Sequence, residues 1–282
     1  MVTELNLGFD QGADVDEAGA WLDPVEVDLL CAFAEVSPPF PLKVVPRGET
    51  TELRRQVFAG ARARLAERGL ADRRGPRGVA ADLVRLLGAD VGAVDLLVAR
   101  RGRALGVVVL ALGAEALLVT QDVRGDGGRV HVLAVPAHEV IEHVLALVPD
   151  HPPAMVSPFS LSRRALDAAH RAVLARAAAG DPLSPHEVDR LMAEHGVDEQ
   201  SARRLTANLQ PVLGNGQAGT AYRSARGRGW ERAGEELRWL DTARGRFRLG
   251  GDPGSDWMSV NPLSGEELVV GLRTLAGGLW YR

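Results

Sequence analysis

The stretch from Val94 to Val148 constrains the fold more than any other part of the chain. It opens with Val94–Arg101, breaks at Gly102, resumes as Ala104–Leu112, breaks at Gly113 and continues as Glu115–Val123. An Arg-Gly-Asp-Gly-Gly turn at 124–128 then leads into Val130–Val135. These segments are rich in the branched side chains that suit a pleated, half-buried surface. Asp126-Gly127 has hairpin chemistry, because glycine accepts the positive φ of a tight turn. A parallel pair needs a crossover of about a dozen residues, so connections this short force an antiparallel meander. Beyond Pro136 the period changes. Val140, Ile141, Val144, Leu145 and Val148 recur at three- and four-residue steps, the spacing of one helical face. Such a sheet cannot bury itself, and the rest of the chain has to cover it.

Residues 1–20 are acidic and are read as a flexible tail. Asp23-Pro24 supplies an N-cap and a first-turn proline for a helix running through Val25–Val36. Ser37–Pro41 forbids helix and forms an extended connector. Thr51 is the expected N-cap of the next helix, with Leu53, Val57, Ala61 and Leu65 as its buried stripe and Gly69 as its stop. A further helix covers about Val79 to Leu87, with Leu83, Leu86 and Leu87 inward. Pro149–Pro158 contains four prolines and marks a seam. After it, Leu161–Ala179 is expected as a helix closed by Gly180. Ser184 and Glu187 form a capping-box pattern opening a helix that Gly196 closes, and Asp198 caps a third through Ala202, Leu205 and Leu209. Strands are expected near 217–225, 236–241, 245–249 and 256–261, then a helix from Gly265 to Leu275.

The second half therefore repeats the order of the first: helices, a meander, one closing helix. Residues 132–148 and 259–275 share a strand, a proline and a helix of like apolar spacing. The expected fold class is α+β, a central antiparallel β-sheet flanked by α-helices with a pseudo-twofold internal repeat. The expected organisation is one domain over residues 21–282. It has an N-terminal half at 21–148 and a C-terminal half at 159–282, joined by the proline-rich seam at 149–158.

Composition narrows the function. A formal net charge of −4 argues against a protein whose main business is coating nucleic acid. The single cysteine, Cys31, permits no intrachain disulfide and is expected as a small buried hydrophobe. The N-terminus lacks the apolar core of a secretory signal. The longest uncharged apolar stretch, Ala104–Ala114, is far short of the ~20 residues a membrane helix needs. A cytosolic protein without membrane insertion follows.

The motifs that suggest chemistry fail on spacing or context. His138-Glu139 begins like a zinc-protease helix, but the second ligand position holds Glu142. His143 lies about 140° round a helix from His138. Gly214, Gly216 and Gly219 match GxGxxG, yet a helix precedes and a strand follows, the reverse of a dinucleotide fold. A helix C-cap and a turn are the expected role of these glycines. No catalytic constellation emerges from the scattered histidines, so no enzyme, cofactor or metal is expected. The alternative function is a DNA-binding regulator. Residues 184–213 outline a helix-turn-helix hinged at Gly196, with Arg203 and Arg204 on the second helix.

Several stretches together resemble the EspG family, the ESX (type VII) secretion-associated proteins of actinobacteria. They are Leu22–Thr50, the helix ending Leu65–Leu70, Val94–Gly102, the hairpin Leu237–Leu249 with Asp241-Thr242 and Gly245-Arg246 at its turn, and Asp256–Leu272. The resemblance covers about residues 21–276. It implies an antiparallel sheet flanked by two helical bundles and a cytosolic specificity chaperone with no enzymatic activity. The partner would be the exposed apolar tip of a PPE-like or other helical type VII substrate, usually a PE–PPE heterodimer, with the free chaperone a monomer or weak homodimer. It places the contact on the helices at 184–213 and the strand at 217–225. Thr220, Tyr222 and Ser224 would share one face of that strand, Arg223 would take the other, and Met192 would supply an adaptable contact.

Overall fold

The structure, a computed structural model, describes residues 15–16, 19–89, 91–180, 184–194, 196–223, 228–251 and 254–280. The first elements in chain order are β1 (Val15–Asp16), β2 (Gly19–Leu22), α1 (Pro24–Phe33), α2 (Thr51–Glu67), β3 (Ala71–Asp72), β4 (Gly75–Pro76) and α3 (Val79–Gly88). The meander follows as β5 (Ala93–Arg100), β6 (Arg103–Leu112), β7 (Glu115–Asp122) and β8 (Val130–Pro136), closed by α4 (Val140–Ala146). Next come β9 (Phe159–Ser162), α5 (Arg163–Ala178), α6 (Pro185–Glu194) and α7 (Glu199–Leu209). The chain ends with β10 (Val212–Arg223), β11 (Trp230–Thr242), β12 (Gly245–Gly250), β13 (Trp257–Pro262) and α8 (Gly265–Trp280).

The main sheet takes the order β1-β2-β8-β7-β6-β5-β10-β11-β12-β13-β9, and β3-β4 form a separate ribbon. Both sequence-predicted meanders are present as runs of sequential neighbours. The turn after β7 closes as its chemistry predicts: Gly127 N–H donates to Arg124 O at 3.0 Å and Gly128 N–H to Asp122 O at 2.8 Å. The α+β class with a large antiparallel sheet is the observed one.

The chain divides into two compact units. The first comprises Met1–Asp95, Leu105–Val140 and Ala221–Glu231. Its core is aliphatic: Leu22, Leu30, Leu65, Leu86, Leu110 and Leu117 are almost completely buried, with the valines of β6–β8 among them. Burying each such leucine contributes about 1.5–3 kcal/mol. Asp23 N–H donates to the Glu26 carboxylate at 2.9 Å, opening α1 at Pro24 as the sequence predicts. The cap of α2 is Thr50, one residue before the expected Thr51, and its hydroxyl accepts from Leu53 N–H at 3.2 Å. The stripe on α2 is shorter than expected, since Ala61 and Leu65 are buried while Leu53 is 49% exposed. Arg54 explains this. It pairs with buried Asp28 of α1 at 2.8 Å and stacks over Phe58, so a polar contact joins the helices where Leu53 was expected to pack. Strand β2, absent from the sequence-based expectations, pairs antiparallel with β8 and buries Ala20 and Leu22.

The second unit comprises Leu96–Ala104, Ile141–Thr220 and Arg232–Arg282. Its core gathers Phe159, Leu161, Phe247, Val260 and Leu209, with the two phenylalanine rings edge to face at 6.4 Å. Leu161, expected in a helix, instead sits in β9 opposite Met258 of β13, and α5 starts only at Arg163. The glycines at 214, 216 and 219 correct another expectation. They lie inside β10, because α7 ends at Leu209 with an extended Gln210 rather than a glycine cap. A Cβ on Gly216 would stand 2.0 Å from the Trp239 ring, so this glycine lets the indole lie against the strand.

Candidate partner-binding surface

The hairpin joining β11 and β12 organises the second unit. Arg246 and Asp241 face each other across it in the register Asp241↔Arg246, with Nε–Oδ1 at 2.7 Å and Nη2–Oδ2 at 3.0 Å. Both side chains are 3% exposed, and Nη2 also donates to Pro149 O at 2.7 Å. A buried pair of this kind holds only when its remaining hydrogen-bonding groups are satisfied. The backbone of Arg246 then fastens the proline-rich seam. Its N–H donates to Pro152 O at 2.7 Å, and its carbonyl accepts from Ala154 N–H at 3.2 Å. His151 Nε2 reaches Thr242 O at 2.8 Å. On the other side Thr242 Oγ1 donates to Asn208 O at 2.9 Å and Arg244 Nε to Ala207 O at 3.2 Å, holding the end of α7.

Helices α6 and α7 meet at Gly196 in the left-handed region (φ 84°), and Val197 N–H closes back on Met192 O at 3.0 Å. Ser184 and Glu187 form the predicted capping box, and Asp198 accepts from Ser201 N–H at 2.9 Å. Met192 is 3% exposed, packed with Val197 and Ala202, so its side chain fills the helix pair. Thr220 is also buried and donates to Ala233 O at 2.7 Å. Tyr222 and Arg223 are half-buried at the end of β10, and Arg223 Nη1 donates to Gly88 O at 2.7 Å. Ser224 lies outside the described residues. Of the two arginines that suggested a DNA-reading helix, Arg203 pairs with Glu199 and Arg204 is exposed.

Sequence reasoning missed the apolar side chains left in solvent. Met155 is 91% exposed, Trp257 61% and Val270 63%, with Val212 and Leu213 near 40%. Nothing in the periodicity marks them, because Met155 lies in the proline-rich seam, Val212, Leu213 and Trp257 begin strands, and Val270 sits in α8 among apolar neighbours. Cys31 is buried as expected, and burial with the nearby Asp28 pushes its thiol up to about 12, far from nucleophilic. Among the described residues no three His, Cys, Asp or Glu side chains gather as a metal site would require. No described helix is long and apolar enough to cross a membrane. A cleft of about 360 Å³ lies by Gly48–Thr51, but its Arg54 is already committed to Asp28.

These features define a mixed α+β protein built on an extended antiparallel sheet. The sequence matches the EspG family over residues 23–274, and the chain belongs to that family, as the stretches noted above indicated. The structure is similar to that of the Mycobacterium tuberculosis type VII secretion system chaperone EspG5, solved in complex with a PE25–PPE41 dimer. The TM-score is 0.59 at 15% sequence identity, covering 93% of this chain and 97% of that one. At such identity the likeness carries the fold. No match was found among curated proteins.

Proposed function

We propose that this protein is a cytosolic specificity chaperone of type VII secretion. It binds the apolar tip of a PPE-type substrate, alone or as a PE–PPE heterodimer, keeps it soluble and directs it to the ESX machinery. The observation behind this is family membership across residues 23–274, with a fold like that of a chaperone solved with such a dimer. The physics is consistent: an uncovered apolar tip aggregates unless a partner hides it, and sheets and helices with a polar rim can do so. The protein then acts by binding, without catalysis or cofactor, and is a monomer or weak homodimer when free. The proposed organisation is a single domain over 21–282 with halves at 21–148 and 159–282 related by an internal repeat.

Within this proposal Tyr222, Arg223 and Ser224 reach the partner. Thr220 fixes the strand beneath them, and Met192 fixes the α6–α7 pair, since both are buried. Co-expression with PE–PPE pairs of the same genome should give a soluble complex of one copy each. Tyr222→Ala combined with Arg223→Glu should reduce recovery of that complex while leaving the free protein folded. Failure to retain any PE–PPE pair or other helical type VII substrate would end the proposal.

A further inference from the structure

The connector between α1 and α2 crosses the first unit from Ser37 to Gly48 without forming a helix or strand. Pro38, Pro39, Pro41 and Pro46 remove four N–H donors from it, so it cannot join a ladder as a strand would. Its polar fastenings are point contacts instead. At one end Ser37 N–H donates to Arg228 O at 2.6 Å, and Ser37 O accepts from Trp230 Nε1 at 2.8 Å. At the other end Arg47 O accepts from Arg54 Nη1 at 3.4 Å. In the middle, the buried side chain of Gln121 on β7 meets Lys43 as a neighbouring strand would. Its Oε1 accepts from Lys43 N–H at 2.7 Å, and its Nε2 donates to Lys43 O at 3.0 Å. The same Nε2 donates to Gly128 O at 2.8 Å, and Lys43 Nζ donates to Gly125 O at 2.9 Å. The latch is therefore shared with the turn at 124–128.

Two glycines let the connector lie close. A Cβ on Gly106 of β6 would stand 2.9 Å from Pro41 Cγ, and one on Gly127 would stand 2.8 Å from Lys43 O. Held in this way, Pro39 and Leu42 close an apolar pocket whose other walls include Val27 and Cys31 of α1, Leu83 of α3 and Val108 of β6. Lys43 and Val45 of the connector stand in solvent. The walls belong to helices and to a strand paired along most of its length with β7. Segments with few backbone hydrogen bonds open at lower free energy than the regular elements they cover.

We infer that Pro38–Pro46 is a strap that opens as a unit at the Gln121–Lys43 latch, uncovering this pocket while the rest of the first unit stays folded. Cys31 reports the opening. It is 1% exposed, and burial holds its thiol protonated, so a thiol reagent reaches it from the open form. A group added to its sulphur takes the space that Pro39 and Leu42 fill in the closed form, and so keeps the strap open. The inference concerns the free chain and does not rest on the chaperone proposal.

The test is carbamidomethylation of the full chain by iodoacetamide under folding conditions, followed by mass spectrometry. In this reaction the Cys31 thiolate displaces iodide and the thiol proton passes to the buffer. The rate should hardly change in low urea, because local opening exposes little surface. Gln121→Ala removes the latch and should raise the rate roughly tenfold, and Gly106→Ala, which displaces Pro41, roughly threefold. Leu65→Ala weakens the same core from α2, outside the pocket walls, and should change the rate little. Circular dichroism identifies the folded variants, and Gly106→Ala carries the test if Gln121→Ala does not fold. In the alkylated chain, hydrogen exchange should show the Leu42 and Lys43 amides losing protection while those of β6 and β7 keep theirs. The inference is overturned if the folded latch variants label no faster than the parent, or if the rate follows the denaturation midpoint across all variants. A rate that rises with urea as steeply as global unfolding overturns it too. So does an alkylated chain that keeps the Lys43 amide protected or loses the protection of β7 as well.

Discussion

The two units solve the same problem with different materials. The first buries leucine and valine from α1, α2, α3 and β6–β8 in one aliphatic cluster, and two of its buried charges, Glu26 and Asp28, pair with arginines of α2 and its C-cap. There Arg68 holds Glu26 Oε2 at 2.6 Å, while Oε1 accepts no hydrogen bond and has only the looser ion pair with Arg64 Nε at 3.5 Å. The second has a smaller cluster that includes two phenylalanine rings, and it buries an ion pair across the β11–β12 hairpin, with Arg246 gripping both oxygens of Asp241. Where apolar volume is plentiful, a half-satisfied charge is tolerated. Where irregular chain such as the proline-rich seam must be held, directed polar contacts do the holding.

The largest expected effect breaks that contrast directly. Arg246→Met leaves Asp241 buried without its partner and should cost about 3–5 kcal/mol in chemical denaturation. Arg246→Met with Asp241→Leu should recover much of it, because the uncompensated charge has gone. If the double variant is no better than the single, the hydrogen bond to Pro149 matters more than the pair. In the first unit the matching change is Leu110→Ala, expected to cost about 2–5 kcal/mol through lost burial and a residual cavity. No cavity-free polar replacement should rescue it.

This difference also decides what the sequence could reveal. The aliphatic unit was legible, since β6–β8 and α3 announce themselves by period and the turn at 124–128 by its residues. Strands β2 and β9 were not, each being four residues long and too short to display alternation. The glycines of β10 misled because they look like punctuation, whereas long-range neighbours explain them: the Trp239 indole at Gly216, Ala99 O and the Arg100 side chain at Gly214, and the Arg232 side chain at Gly219. At the candidate surface the order of motifs pointed to the family. Burial of Met192 and Thr220 depends on long-range packing that no local pattern encodes.

Gly216→Ala sharpens the point. A methyl group 2.0 Å from the Trp239 ring forces the indole or the strand to move, at a cost of about 1–3 kcal/mol. Trp239 fluorescence should shift in the folded variant. Trp239→Leu should make the alanine tolerable, which would show that the ring, rather than backbone conformation, requires glycine there.

The smallest effect concerns helix starts. In the second unit α6, α7 and α8 open on carboxylates. Glu187 accepts from Ser184, Asp198 from Ser201 and Glu267 from Ser264, and these hydrogen bonds hold all three acids below their ordinary values. In the first unit α2 opens on the hydroxyl of Thr50, which does not titrate near acid pH. A carboxylate whose folded pKa is lowered adds stability that is full above its unfolded value. That stability is lost as pH falls through the folded value, here below the ordinary carboxylate range. Hydrogen exchange at successively lower pH should therefore show the first turns of α6, α7 and α8 losing protection before that of α2. Ser264→Ala, expected to cost about 0.5–2 kcal/mol at neutral pH, should flatten the acid response of α8. It removes the hydroxyl partner and leaves only the backbone N–H on Glu267. An acid response as steep in α2 as in α8 would mean that the charges at the core rim, rather than the caps, set the acid limit of both units.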